Sequence, residues 1–257
     1  MIFSKYFKTA QMSSQNLTNG GVVYLFLNYF LKTVYLIPIL LLWRTLMNSG
    51  VDVGMSLPQM LTYTYLGAIF YEILVVKTTA SDWFYDGLFI SLYQRPLNIL
   101  SHLTSQTVGG WIPNLLLFTI PMILVAPLFG VSLTISSLWF VPSLILCITL
   151  GFAVDFLFVC LLIRMRNATW LVSVIRAAIV SLLSGSVIPF AILPWGIGSV
   201  FQYLPLGSLA GAPLSIYTNL ASPIPILIAQ LFWNMALWPI AIMAFNKTHE
   251  RMVSYGG

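Results

Sequence analysis

Charge is what this chain has least of. Of its 257 residues only 7% are Asp, Glu, Lys or Arg, 11 of them basic and 6 acidic, whereas soluble domains carry about a quarter. With 59% hydrophobic residues and a mean hydropathy of +0.94, the scarcity excludes a soluble globular domain and points to an integral membrane protein. No Gly-Lys pair occurs, so the glycine-rich loop whose amides and lysine hold nucleotide phosphates is missing, and any ATP-driven action needs a separate subunit. His-Glu-x-x-His is missing too, which removes a zinc protease. His102 and His249 fall outside the expected spans, leaving an intramembrane serine protease without its base. Cys147 and Cys160 share one apolar run on different helix faces, which argues against a disulfide or a metal site. No filter-like sequence marks a channel, and the ten-residue alternating segments of a membrane barrel are lacking.

What is present is a series of apolar runs of about 20 residues or more, the length of a spanning helix. They predict an all-α, polytopic fold in a single transmembrane domain, 1–257, with about six transmembrane helices: 22–46, 57–76, 107–129, 137–163, 168–190 and 223–245. Residues 1–21 carry Lys5 and Lys8 among Phe3, Tyr6, Phe7 and Met12, the pattern of an amphipathic helix on the cytoplasmic leaflet, a frayed polar tail being the other reading. They lack the apolar core of a cleavable signal, so the first span is expected to remain as an anchor. Lys5, Lys8, Lys77, Arg95, Arg164, Arg166, Lys247 and Arg251 all fall on the side of the N-terminus, against Arg44 on the other. The positive-inside rule then puts both termini, the tail 246–257 and the segment 77–106 in the cytoplasm. The net charge of +5 is read as this topology signal, with no nucleic acid implied. Three N-x-T sequons, at Asn16, Asn167 and Asn246, fall on the same side and carry no meaning there.

The segment 77–106 is the longest piece unsuited to a bilayer core, with Asp82 and Asp86 beside Trp83, Phe84, Tyr85, Phe89 and Tyr93 at roughly helical spacing. A helix of this kind either lies on lipid or docks on a partner. Its acidic first half favours docking, since a lipid-facing cytoplasmic helix is rich in Lys and Arg. Between the last two spans, 191–222 has no charged residue but many Pro, Gly and aromatics, which predicts short re-entrant helices packed on the outer face, with Pro189, Pro194 and the Gly207/Gly211 pair giving turns and close approach.

Four ionisable residues fall within spans, where a charge costs on the order of 3 kcal/mol. Asp155 precedes Arg164 by nine residues and Arg176 follows Arg166 by ten, so both lie roughly 13–15 Å from the same face and are expected to pair. Lys32 and Glu72 are a second candidate pair, at depths that match less well. Tyr24, Tyr29, Tyr35, Tyr63, Tyr65 and Tyr71 are candidates to line a path, although aromatic belts and packing account for most of them.

Three stretches resemble permease subunits of the ABC-2 type transporter family: Asp86-Gly87-Leu88 with Leu92-Tyr93-Gln94-Arg95-Pro96-Leu97, the outer stretch from Ile188-Pro189-Phe190 through Leu204-Pro205-Leu206 to Ala212-Pro213, and the tail Arg251-Met252-Val253-Ser254-Tyr255-Gly256-Gly257. Leu206 stands where Phe is usual. The resemblance implies a bacterial plasma-membrane exporter: two six-helix permeases, identical or homologous, surrounded by membrane lipid and clasped by two ABC ATPase subunits that hold ATP and Mg. This chain would then hold no cofactor and catalyse nothing. Asp82, Trp83, Tyr85, Asp86, Phe89, Tyr93 and Arg95 would form a cytoplasmic coupling helix between the second and third spans. An apolar interior suits an amphipathic or lipid-like substrate, such as an antimicrobial peptide, a drug or a lipid-linked glycan. The alternative from another class is a non-transporting immunity or sensor component that only binds a partner.

Overall fold

In the computed structural model, residues 2–19, 21–50, 54–85, 97–165 and 169–254 are described, and among them the chain is helical with no strand. Helix α1 (Ile2–Asn19) precedes α2 (Val22–Asn48), which runs on through Pro38 for 27 residues, about 40 Å. Next come α3 (Leu57–Ile69), the single turn α4 (Tyr71–Leu74) and the short α5 (Ala80–Tyr85). Helix α6 (Ile99–Asn114) loses a backbone donor at Pro113, widens into a π turn at Leu115–Thr119, and continues as α7 (Ile120–Val125) to a tight last turn, Ala126–Phe129. Helices α8 (Phe140–Arg164), α9 (Thr169–Leu183), α10 (Ile197–Phe201), α11 (Gly211–Tyr217) and α12 (Pro223–Ser254) complete the chain.

Four helices among the described residues are long and apolar enough to cross a membrane: Val23–Asn48, Ile99–Phe129, Phe140–Arg164 and Pro223–Thr248. This is a membrane protein. The expected spans at 57–76 and 168–190 take another form. The first breaks at Phe70 (φ −100°, ψ 9°) into 13 residues and one turn. The second is helical for 15 residues, about 22 Å against a hydrocarbon core of about 30 Å. The third begins at Ile99 rather than near Thr107, because Asn98 caps it: its side chain accepts from the Ser101 amide at 3.2 Å. His102, expected outside the spans, therefore lies inside this long helix and is buried.

Of the four long helices, α8 lies in the middle and the other three are less enclosed. Over its most apolar window α8 is 56% buried, against 17% for α2, whose Tyr24, Phe26, Leu27, Phe30 and Leu31 are exposed, as on a lipid-facing helix. Helix α8 packs along α12, where Phe156 meets Trp238 and Phe245 at ring separations of 6.1 and 6.5 Å. Two core clusters stack along the bundle. One is built around Tyr63, Tyr65 and Leu150, the other around Phe152, Phe156 and Leu103. Arg44 closes the far end of the α6–α7 rod by donating to the Phe129 carbonyl at 2.6 Å, a cation on a helix C-terminus. Helix α1 packs against α6 where Gly109 lacks a side chain, since a Cβ there would stand 2.1 Å from the Ala10 carbonyl oxygen. Phe7 and Met12 remain exposed.

Candidate functional site: a buried ion pair on an unwound segment

After α4 the chain does not return to helix until Ala80, and residues 75–79 run unwound through the second core cluster. Backbone inside an apolar bundle must find hydrogen-bond partners within the protein. At Val76 and Thr78 they come from polar side chains. The Thr78 amide donates to Asp155 Oδ2 at 2.9 Å and the Thr78 hydroxyl to the same oxygen at 2.6 Å. Arg176 Nη2 donates to the Val76 carbonyl, and Arg176 Nε stands 2.8 Å from Asp155 Oδ1, a charge contact without an aligned N–H. Further up, Cys147 Sγ lies 3.6 Å from the Leu74 carbonyl, and the Thr119 hydroxyl donates at 3.0 Å to the Ile69 carbonyl beside the break. Gly151 lets the strap lie close to α8, because a Cβ would meet Val76 Cγ2 at 2.6 Å.

The structure thus brings Asp155 of α8 and Arg176 of α9 together, with side chains 3% and 12% exposed. Lys77, Ser81 and Ser173 share a cavity of about 100 Å³ with the pair. Lys32 also meets Glu72, at 2.5 Å, and donates to Asn114 Oδ1 at 3.2 Å. Its ammonium lies 5.6 and 5.4 Å from the ring centroids of Tyr29 and Phe118. That pair is more than a third exposed on both sides, and Lys32 stands on a helix whose outward residues are apolar.

Of the docking residues, Asp82 is exposed on α5 and 3.5 Å from Lys77 Nζ, while the Trp83 ring lies 6.4 Å from that of His102. Tyr85 closes α5; its side chain, and Asp86, Phe89, Tyr93 and Arg95, lie outside the described residues. In the outer stretch Pro189 is buried and leads into the turn Phe190–Ile192, whereas Pro194 is exposed and opens the turn Pro194–Gly196. Gly207 and Gly211 do not form one helical ridge. Gly207 sits in a run of turns against the Phe201 carbonyl, and Gly211 starts α11, its amide on the Ser184 carbonyl at 2.6 Å and its Cα under the Phe190 ring. Tyr63 and Tyr65 are fully buried and donate to the carbonyls of Gly185 and Met122, so they hold the bundle rather than line a path.

An apolar cavity of about 260 Å³ opens beside the helix break, walled by Leu66, Phe70, Leu144, Leu214 and Tyr217 among others. Two features were not singled out from sequence. Thr78 is the first, a threonine in a polar segment with no spacing signal. The second is Gln230, fully buried on α12, which takes the Ser143 hydroxyl at 2.8 Å and donates to the carbonyls of Ser143 and Ser208 at 3.1 and 2.8 Å. A glutamine and an asparagine one turn apart in an apolar run, Gln230 and Asn234, were the available sign. No family model, curated protein or solved structure matches the chain.

Proposed function

We propose that this chain is the membrane-spanning subunit of an exporter whose energy comes from separate ATPase subunits. The observation that carries the reading is mechanical. Helix α5, exposed and acidic at Asp82, joins directly to the strap 75–79, and the strap is bonded through Thr78 and Val76 to Asp155 and Arg176. A push on α5 is delivered two residues away to a buried contact between α8 and α9. The apolar cavity beside the same break is suited to the hydrocarbon part of an amphipathic substrate.

In this reading the chain crosses the membrane six times, four crossings made by the long helices and two by the broken α3–α4 and the short α9. Both termini and α5 face the cytoplasm of a bacterial cell, a second permease completes the pathway, and hydrolysis of ATP with Mg takes place on the partner. Copurification tests it. The tagged chain, extracted from its native membrane, is expected to bring down a stoichiometric ATPase bearing a phosphate loop, whose hydrolysis rate changes when this chain is present. Charge reversal at Asp82 and Asp86 together is expected to leave insertion intact and to uncouple hydrolysis from transport. Recovery of the chain without any ATPase, or wild-type coupling in the double variant, refutes the assignment.

A further inference from the structure

A second polar feature lies at the basic end of the bundle and plays no part in the transport reading. A groove of about 300 Å³ separates the ends of α8 and α12, lined by Leu157, Leu161 and Arg164 on one side and Ala244, Lys247 and Thr248 on the other. Leu157, Leu161 and Arg164 follow at helical spacing, so a single apolar stripe on α8 leads up to a guanidinium. Arg164 and Lys247 are both exposed, and neither has a hydrogen-bond or ion-pair partner among the described residues. This separates them from Lys32, Arg44, Lys77 and Arg176, each of which is satisfied within the chain. Arg164 lies nine residues beyond Asp155, about 13 Å along α8, at the end of a helix that crosses the membrane.

We infer that this groove binds an acidic phospholipid, its phosphate between Arg164 and Lys247 and the first methylenes of an acyl chain on Leu157, Leu161 and the open surface over Ala244. Two cations over an apolar trough match the two halves of such a lipid, and basic pockets between helices at the cytoplasmic face are where anionic headgroups are held. A soluble anion has no use for the apolar half.

The test titrates the purified full-length chain in neutral detergent with dioleoyl phosphatidylglycerol, dioleoyl phosphatidylcholine or inorganic phosphate, counting bound lipid by native mass spectrometry. Phosphatidylglycerol is expected to bind roughly 10- to 30-fold more tightly than phosphatidylcholine, the effect of two cations near the surface. Arg164→Gln/Lys247→Gln should abolish the preference, and Arg164→Lys/Lys247→Arg should retain it. Ala244→Trp, which fills the trough and keeps both charges, should weaken phosphatidylglycerol about as much as the double variant does. Lys5→Gln/Lys8→Gln on α1 should change nothing. The inference is overturned if the preference survives Arg164→Gln/Lys247→Gln or Ala244→Trp, if Lys5→Gln/Lys8→Gln removes it equally, or if millimolar inorganic phosphate displaces the lipid, which would mark a site for a free anion.

Discussion

Asp155→Asn isolates what the buried pair does. Asparagine keeps the shape of the side chain and an oxygen for Thr78, but it leaves the Arg176 guanidinium, 12% exposed, without an anion. Removing one member of a buried pair costs about 3–5 kcal/mol, most of it from the charge left behind. For a chain of this size that corresponds to a fall in melting temperature of roughly 6–20 °C. Arg176→Gln should cost a similar amount by stranding the carboxylate and freeing the Val76 carbonyl. The double variant removes both charges, and its loss should be well short of the sum of the singles, with a coupling of about 2–3 kcal/mol. Melting of detergent-solubilised protein, followed by the loss of its monodisperse size-exclusion peak, measures all four forms. Strict additivity, or an Asp155→Asn variant that melts within about 2 °C of wild type, would refute the view that these two charges depend on each other.

Other substitutions test contacts elsewhere in the bundle. Gly109→Leu places carbon where the Ala10 backbone now lies, so α1 should lift from α6 and limited proteolysis should cut after Lys5 and Lys8 faster than in wild type, with the remaining helices still inserted. Gln230→Ala leaves the Ser143 hydroxyl and two carbonyls without their buried partner and should destabilise by about 1–3 kcal/mol in the same melting assay. Lys32→Gln leaves Glu72 without its cation beside a spanning helix and should cost more than the roughly 1 kcal/mol of a pair in water; a smaller loss would show that water reaches the pair.

The long spans were legible because hydropathy over 18 or more residues needs no knowledge of neighbours, and the depth arithmetic for Asp155 and Arg176 needed only the rise of a helix and the basic residues that mark its end. The break at Phe70 was not legible. The run from Leu57 to Val76 contains no proline beyond Pro58 and one glycine, Gly67, so nothing local stops the helix. What permits the break is a set of donors far away in the chain: Thr119 for the Ile69 carbonyl, Cys147 for Leu74, Arg176 for Val76. The first turns of α6 were not legible either, because the polar residues of 99–107 hid a helix that passes beneath α1.

Why the broken α3 is enclosed while the unbroken α2 faces outward follows from the same accounting. Nine of the 13 residues of α3 are buried by protein, whereas α2, similarly apolar, faces outward along most of its length. A helix exposed to lipid must satisfy its own backbone at every residue, so it cannot unwind. A helix enclosed by others can, provided that their side chains supply the donors and acceptors. Asp155, Arg176 and Thr119 do this, so their presence in an apolar bundle serves the strap as much as any pairing of charge. The side chains that hold residues 75–79 unwound also set the cost of winding them back into helix, because rewinding would take the Thr78 amide and hydroxyl from Asp155 and the Val76 carbonyl from Arg176. A displacement of α5 that draws Thr78 off Asp155 gives up two hydrogen bonds to a buried carboxylate, unless α8 moves with it.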